Sequence, residues 1–495
     1  MIFLDYTLLQ GSVDVETEDV IYDSRKAAPG KVFVAMKGIR VDGHSFIPQV
    51  LKAGVRVLVT ERPVEEELKN SGLSEDELKQ VTVVMVEEGR HALALLSAAR
   101  FDHPAKKLVM IGVTGTKGKT TTTHMIRAIL LAAGKKVGMI GTTGTVIGDV
   151  VTPTLNTTPE SYELHQAFAQ MVEAGCEYAV MEVSSQGIKM HRTDGLYFNY
   201  AIFTNISPDH IGPGEHADFE EYLYYKTRLL NMCGIGLVNK DDEHAPQIIK
   251  AANCELYTYS EESKEADFVA SDIRYVSQPD FVGTEFHISG KYDMEVRLGI
   301  PGLFNVVNAL AAVSVCSFLG LDQARISHAL ENIRVNGRME IVYTSERCTV
   351  LVDYAHNAVS MESLLSTLRD YKPKRLVCVF GCGGNRSKDR RYSMGEIGGK
   401  MADLSIITAD NSRYEKVEDI IADIRGSIEK TGGKFIEIPD RREAIRYSIL
   451  HAQPGDMVAV IGKGHEDYQE INGVRHHFLD REVIEETVKE LGEKA

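Results

Sequence analysis

The sequence predicts an α/β protein built on mainly parallel sheets, and three observations predict it. Short β-branched apolar runs alternate with longer helical stretches from about residue 107 onward, the order that lays parallel strands side by side with helices on the sheet faces. One run, "KLVMIGV" (107–113), passes through a glycine-rich turn into a stretch with Met125, Ile126, Ile129 and Leu130 at one-face helical spacing. Six runs end in polar residues at their carboxyl ends, where doubly wound sheets bind ligands. The expectation is three domains: a small N-terminal α/β domain over 1–100, a central doubly wound parallel sheet with a phosphate loop over 101–334, and a Rossmann-like α/β domain over 335–495.

The elements follow in chain order. Residues 1–100 hold a glycine-punctuated piece, "YDSRKAAPGKVFVAMKGIRVDGHSFI", then "VRVLVT" and "VTVVMV", strand-like by their β-branched content. "HALALLSAARFDHP" reads as a helix closed by Pro104, the first boundary. The turn "TGTKGKTTTT" (114–123) departs from G-x-x-x-x-G-K-[ST] by one residue: glycine belongs at 113, where Val113 stands, and Gly112 lies one place early. The physics still favours an anion site over a solvated turn. Amides of a glycine turn at a helix start face an anion on the positive end of the helix dipole. Lys119 reaches outer phosphates there, and the Thr120 hydroxyl completes a magnesium shell.

The decorated strand ends come next. "YAVMEVSS" ends in Glu182, Ser184 and Ser185, and "AIFTNISPDH" in Asn205, Asp209 and His210. After "VNGRMEIV" the strand pattern restarts, which sets the second boundary near 335. "TVLVDYAH" ends in Asp353 and His356, "RLVCVFGCGGNR" in Asn385 and Arg386, "LSIITADNSR" in Asp410, Asn411 and Arg413, and "DMVAVIGKGHE" in Lys463, His465 and Glu466. One polar strand end is ordinarily a turn; six together point to ligand sites on two sheets. The phosphate loop, Glu182 and His210 make an oxygen and nitrogen set suited to magnesium on nucleotide phosphates, although Glu182 alone reads equally as structural and His210 as a turn histidine.

Bulk properties bound the rest. The chain has 495 residues, 43% apolar and 25% charged, as in ordinary globular proteins. A net charge of −16 argues against a nucleic-acid surface. Seven scattered cysteines without a C-x-x-C pair fit a reducing compartment with neither disulfide framework nor zinc site. The opening "MIFLDYTLLQ" lacks the basic region of a signal peptide, and no apolar run approaches the roughly 20 residues of a membrane helix. A soluble, cytoplasmic protein without membrane or nucleic-acid partners is expected.

Ten segments together resemble the Mur ligases, in order and over the whole chain: "TGTKGKTTTT", "NTTPE" (156–160), "EVSSQG" (182–187), "TNISPDH" (204–210), "YYKTRLL" (224–230), "PGLFNVVNALAA" (301–312), "NGRMEIV" (336–342), "VDYAH" (352–356), "GCGGNR" (381–386) and "GKGHE" (462–466). The front piece resembles the branch that adds the third residue of the peptide. Family members use TGT-x-GKT, which makes Val113 regular. The resemblance implies a monomeric ATP-dependent, ADP-forming amide ligase acting on UDP-N-acetylmuramoyl-L-alanyl-D-glutamate through an acyl phosphate. It implies that Gly115, Thr116, Lys117, Gly118, Lys119, Thr120 and Thr121 hold ATP phosphates. Thr120, Glu182 and His210 would surround Mg2+, and Asn305, Asn308, Arg338 and Asp353 would contact the nucleotide. Asn156, Thr157, Thr158, Ser184 and Arg192 match positions that hold the muramoyl-dipeptide, and Ser24 matches a uridine contact. Met190 stands where relatives carry a polar residue. Lys226, on "FEEYLYYKTRLL", reads by itself as a surface lysine; the resemblance implies a carbamylated, metal-orienting and catalytic one, beside Lys119 and His210.

The added amine is a diamino acid, and the resemblance leaves meso-2,6-diaminopimelate or L-lysine (or ornithine). The extra carboxylate of diaminopimelate suits a planar Arg clamp. Relatives that add it carry D-N-P-R, where this chain has Asp410, Asn411, Ser412 and Arg413. Arginine is kept and proline is lost, which frees φ and restores an N–H. Arg386 is a second cationic partner, with Gly462 and Glu466 at the amino end, and diaminopimelate is the expected substrate. Folylpolyglutamate synthetase and a P-loop switch protein are the alternatives from other classes; the N-terminal "DSR…DGH" module weighs against the first and the decorated strand ends against the second.

Overall fold

The computed structural model describes residues 4–38 and 41–492. Met1, Ile2 and Phe3 of the opening stretch, Ile39 and Arg40 of the glycine-punctuated piece, and Glu493, Lys494 and Ala495 lie outside the described residues. The chain divides into two compact units, Met1–Tyr259 and Ser260–Ala495.

The first unit opens with a five-stranded sheet in the order Thr7–Gln10, Thr82–Met85, Val57–Thr60, Lys31–Val34, Asp19–Ile21. The last four are parallel, and Thr7–Gln10 runs antiparallel to Thr82–Met85. Alternate residues of these strands point to opposite faces. Ile21, Phe33, Leu58 and Val83 therefore pack with Ile47, Val50 and Leu51 on one side, and Val20, Val32, Val34 and Val59 pack with Ala92 and Leu93 of the helix Gly89–Arg100 on the other.

Six parallel strands follow, in the order Glu255–Ser260, Cys233–Asn239, Phe198–Phe203, Val109–Thr114, Tyr178–Glu182, Val137–Gly141. The antiparallel strands Gly144–Ile147 and Val150–Thr152 extend this edge. The strand that feeds the phosphate loop is thus flanked by the two strands ending at Glu182 and before Thr204. The loop helix spans Lys119–Ala132, so it begins inside the stretch 114–123 read as a turn, because Gly118, at φ +85°, makes the turn. Met125, Ile126, Ile129 and Leu130 are all fully buried, as their spacing predicts.

In the second unit the alternation expected up to 335 fails over Phe268–Gln278, Phe281–Gly290 and Met294–Leu298, which pair antiparallel. The links between them, 279–280 and 291–293, are too short for a helical crossover, so only hairpins can form. After the apolar helix Leu303–Phe318 comes a six-stranded sheet in the order Glu340–Thr344, Cys348–Asp353, Asp456–Ile461, Arg375–Phe380, Leu404–Ile407, Phe435–Glu437. All but the first strand run parallel, so the ends carrying Asp353, Gly462, Gly381 and Asp410 fall side by side. Among the described residues no helix is long and apolar enough to cross a membrane.

Within the first unit, the helix Gly89–Arg100 is tied to the segment after Ser185–Lys189 by two polar bridges. Glu160 pairs with Arg90 (3.2 Å) and Arg192 (2.8 Å). Asp194 Oδ2 accepts from Nδ1 of both His91 (2.5 Å) and His191 (2.8 Å). Two histidines and a carboxylate invite comparison with a zinc site, but two ligands of one tetrahedral zinc stand roughly 3.3 Å apart, given metal–ligand bonds of about 2.0–2.1 Å. The shorter N–O separations are those of hydrogen bonds. The bond from Asp194 raises the pKa of His191, and Asp194 is itself held low, its burial outweighed by bonds from His191 and His91. His191 thus contributes stability that is full below its unfolded value of about 6.5 and is lost as pH rises through the folded value. Asp194 contributes above about pH 3.9 and loses its contribution as pH falls through its depressed value. The difference in thermal midpoint between wild type and Asp194→Asn should therefore be widest near about pH 5–6 and shrink toward alkaline pH. A gap independent of pH would show that the bridge does not titrate.

Candidate active site

The phosphate loop is shaped by contacts to the neighbouring strand end. Thr116 N donates to Asn205 O (2.9 Å) and Lys117 N to Asn205 Oδ1 (2.9 Å). Two of the loop amides are therefore used internally, and the turn from Gly118 to Thr121, ahead of the first helical bond from Thr122 N to Gly118 O, is the helix start at which an anion would be met. Gly115 is at φ +144°, and a Cβ there would stand 1.9 Å from Thr204 Oγ1. No other residue fits without moving that strand end. Lys119 Nζ bonds to Gly115 O (2.8 Å) and Thr116 O (3.1 Å), folded back over the loop.

Glu182 is 1% exposed. Its carboxylate accepts from Thr120 Oγ1 (3.0 Å to each oxygen), Thr142 N (2.9 Å) and Thr142 Oγ1 (3.2 Å). A Cβ on Gly141 would come within 2.3 Å of Glu182 Oε1, so the adjacent strand end must be glycine for the carboxylate to lie there. Hard oxygen donors held this way fit Mg2+. His210 is half-exposed in the left-handed region (φ +53°), with Nδ1 3.0 Å from Glu215 Oε1. Nε2 lies 3.9 Å from Asp209 Oδ2 and is the nitrogen that would ligate a metal, with the Nδ1 contact as the usual support of a metal-binding histidine.

Lys226 overturns the reading of its own segment. It is 2% exposed, not on the surface, and its Nζ donates to Gly115 O (2.7 Å) and lies 4.6 Å from the ring centre of Tyr222. Burial, and secondly the charge of Lys119, push its pKa well below the usual lysine range. The Tyr222 hydroxyl in turn meets Thr116 Oγ1 at 3.1 Å, so one helix, Phe219–Thr227, supports the loop at two points.

The dipeptide candidates gather at the same edge. Thr158 is buried; its Oγ1 donates to Glu182 O (3.0 Å) and accepts from Ser184 N (2.9 Å). Arg192 Nη1 donates to Thr158 O (3.0 Å). The Ser184 hydroxyl caps Ser185–Lys189 through Gly187 N. Thr157 Oγ1 reaches Thr142 Oγ1 (3.1 Å), and Asn156 is exposed beside it. Met190 forms the C-cap of that short helix. Ser24 begins a single turn, Ser24–Lys26, capped by Asp23.

In the second unit, Asn305 and Asn308 are buried on the helix Leu303–Phe318, where Asn308 Nδ2 donates to Asn305 Oδ1 (3.2 Å) and Asn305 Nδ2 to Pro301 O (2.7 Å). Asp353 accepts from Met339 N and Ala355 N, each 2.8 Å. Its burial nonetheless raises its pKa, against those bonds and nearby Arg338. The Arg338 guanidinium lies 4.9 Å from the ring centre of Tyr354, whose hydroxyl meets Glu466 Oε1 at 3.4 Å. Nucleotide and amino-acid candidates thus share Tyr354.

The strand ends from 381 to 466 make one cluster. Asp410, Asn411 and Ser412 are buried. Asn411 Nδ2 donates to Glu466 Oε2 (2.9 Å), and fully buried Lys463 reaches Asn411 Oδ1 and Glu466 Oε2, both at 3.3 Å. Asp410 Oδ2 would lie 2.7 Å from a Cβ on Gly462, so the two strand ends touch. Arg413, at φ +51°, donates from Nη1 to Gly384 O (2.7 Å) and lies 3.6 Å by Nε from Glu470 Oε2. Glu415, two residues further along, is paired instead with buried Arg391 at 2.8 Å. Arg386 is exposed, and a Cβ on Gly383 would stand 3.2 Å from Arg413 Nη1 and 3.9 Å from Arg386 Cγ, so the two arginines flank one glycine.

Sequence reasoning missed three parts of this arrangement. Thr142, Tyr222 and the pair Arg441–Asp480 carry no local signal. Arg441 and Asp480 are wholly buried, joined by Nε–Oδ1 (2.7 Å) and Nη2–Oδ2 (2.6 Å), and Arg441 also donates to Ala409 O and Ile461 O. Those carbonyls immediately precede Asp410 and Gly462.

Comparison with known proteins matches three family models along the chain. These are described as "Mur ligase family, catalytic domain" (17–101), "Mur ligase middle domain" (113–316) and "Mur ligase, glutamate ligase domain" (337–464). Curated relatives named UDP-N-acetylmuramoyl-L-alanyl-D-glutamate--2,6-diaminopimelate ligase include that of Caldanaerobacter subterraneus, 39% identical over 97% of both chains, and that of Clostridium tetani, 38% identical over 99% of this chain and 98% of the relative. A solved structure with that name superposes at TM-score 0.74, 29% identical and covering 98% of each chain. A Thermotoga maritima MurF ligase in complex with ADP shares the fold at 18% identity and TM-score 0.57.

Proposed function

Because this chain belongs to the Mur ligase family, we propose that it adds meso-2,6-diaminopimelate to UDP-N-acetylmuramoyl-L-alanyl-D-glutamate, with ATP converted to ADP and phosphate, in peptidoglycan precursor synthesis. The observation that carries this is the set of groups at the parallel strand ends: a phosphate loop with buried Glu182 and Lys226 in one unit, and the Asp410–Arg413, Gly462–Glu466 cluster in the other. We further read the chain as a cytoplasmic monomer with three domains bounded near 100 and 335.

An amide does not form from a carboxylate and an amine in water without activation. The D-glutamyl carboxylate attacks the γ-phosphorus of ATP, an O–P bond forms, and the P–O bond to ADP breaks. The amine nitrogen then attacks the acyl carbon, and phosphate leaves as the tetrahedral intermediate collapses and the amine loses a proton. Protein work is positioning and charge neutralisation. Lys119 and the amides of Gly118–Thr121 balance phosphate charge, with Gly115, Thr116 and Lys117 fixing the loop's path. Thr120, Glu182, His210 and Lys226 as a carbamate would hold Mg2+, which supplies positive charge against the transferred phosphoryl oxygens. Ser24, Asn156, Thr157, Thr158, Ser184 and Arg192 serve the UDP-muramoyl-dipeptide. Asn305, Asn308, Arg338 and Asp353 serve the nucleotide. Asp410, Asn411, Ser412, Arg413, Arg386, Gly462 and Glu466 serve the diamino acid.

Phosphate release with UDP-muramoyl-dipeptide and a panel of amino acids tests the reading: release should depend on both acceptor and diaminopimelate. Hydrolysis indifferent to amino acid would indicate a switch protein, and dependence on lysine or ornithine would revise the amine. Arg413 carries the choice between amines. A charge-assisted pair is worth roughly 1.5–3 kcal/mol. Arg413→Ala should lower kcat/KM for diaminopimelate by about tenfold or more and leave any slow lysine reaction little changed. Equal losses on both would mean that Arg413 acts only through its bond to Gly384.

A further inference from the structure

A small hairpin, Tyr468–Ile471 with Val474–His477, lies against the loop that carries Arg413. Its backbone fixes that loop: Arg413 N donates to Glu470 O (3.0 Å) and Asn472 N to Arg413 O (2.6 Å). Side chains continue the lacing, with Glu470 N donating to Asn411 Oδ1 (2.9 Å) and Gln469 Nε2 to Asp410 O (3.1 Å). The left-handed backbone of Arg413 is therefore held from outside its own segment.

The acids of this cluster differ in how far they are already engaged. Glu466 is bound by Asn411, Lys463 and Tyr354, and Asp410 Oδ1 accepts from Asn411 N. Glu470 is different: its carboxylate stands beside Arg413 at 3.6 Å, outside hydrogen-bond range, and the two side chains are exposed to the same extent, 22% and 23%. A cation and an anion are thus presented side by side at one opening, each with bonding capacity left.

Resting on the diaminopimelate reading, we propose that Glu470 is a specificity-determining residue that binds the distal ammonium of the substrate while Arg413 binds the distal carboxylate. The distal centre of diaminopimelate carries both charges on one carbon, so adjacent opposite charges on the protein match it. Lysine offers the ammonium alone, and 2-aminopimelate the carboxylate alone. Binding both groups from two sides also fixes the configuration of that carbon, because exchanging them would place like charges together.

The test is Glu470→Gln, which keeps shape and the backbone pairing, assayed with diaminopimelate and with 2-aminopimelate, thermal midpoint serving as the folding control. The wild type should prefer diaminopimelate in kcat/KM, and the variant should lose about tenfold on diaminopimelate, mainly in KM, with 2-aminopimelate changed less than twofold. Equal losses on both substrates would make Glu470 a mere support of Arg413 and overturn the proposal, as would no loss on either. A wild type that uses lysine instead of diaminopimelate would overturn the functional reading and this inference with it.

Discussion

Lys226→Ala should lose at least about a hundredfold in turnover, the scale on which removing one preorganised charge from a phosphoryl- or acyl-transfer site is felt. The structure supplies the reason that a lysine here is open to carbamylation. An ammonium is disfavoured by burial and by Lys119 nearby, and the neutral amine is the form that attacks CO2. The ammonium first gives up one proton; the N–C bond then forms as one C=O π bond of CO2 opens, a second proton leaves to solvent, and the neutral amine becomes an anion. That anion faces Lys119 favourably and suits a magnesium site, whereas the ammonium repels it. Its remaining N–H can still donate to Gly115 O, the contact Nζ makes at 2.7 Å. Lys226→Arg should be as inactive as alanine, since guanidinium stays charged and cannot be carbamylated. Short-chain carboxylates should restore part of the alanine variant's rate. Intact mass in bicarbonate should show one added CO2 on the wild type, lost on acidification and absent from both variants. A fully active alanine variant would reduce Lys226 to a packing residue under the loop.

Asp480→Asn should destabilise the second unit by about 3–5 kcal/mol, because it leaves the Arg441 charge buried without its partner. Both side chains are wholly buried, and four hydrogen bonds converge on or leave Arg441. Replacing both by apolar residues, Arg441→Met with Asp480→Leu, should cost less than the sum of the single changes, since no unpaired charge remains. Denaturant midpoints of the four proteins measure this coupling; additive losses would show that the pair is not energetically linked. Asp480→Asn should also raise KM for the diamino acid more than for ATP. Arg441 holds Ala409 O and Ile461 O, the carbonyls that set the paths of the Asp410 and Gly462 strand ends.

Several features were legible because their signals are local. Strands buried on both faces read as unbroken apolar runs, and "KLVMIGV", "YAVMEVSS" and "DMVAVIGKGHE" became the strands Val109–Thr114, Tyr178–Glu182 and Asp456–Ile461. Parallel connection puts their carboxyl ends on one edge, so polar residues that follow such runs can be assigned to a site before any fold is known. The hairpins of Phe268–Leu298 were not separated from the alternating pattern, because two- and three-residue links hide inside long polar-apolar alternation.

By itself the sequence determined the α/β class, the loop with Lys119 and Thr120, and the polar strand ends from Glu182 to Glu466. Tertiary structure alone decided the burial of Lys226 under the loop, the use of Thr116 and Lys117 amides by Asn205, the placement of Glu470 beside Arg413, and the pairing of Arg441 with Asp480. The physical reason is the range of the forces that each depends on. Periodicity and turn chemistry act over a few residues and leave a mark in the sequence. Desolvation and charge pairing depend on which strand ends lie next to each other, and sheet order, not chain order, sets that neighbourhood.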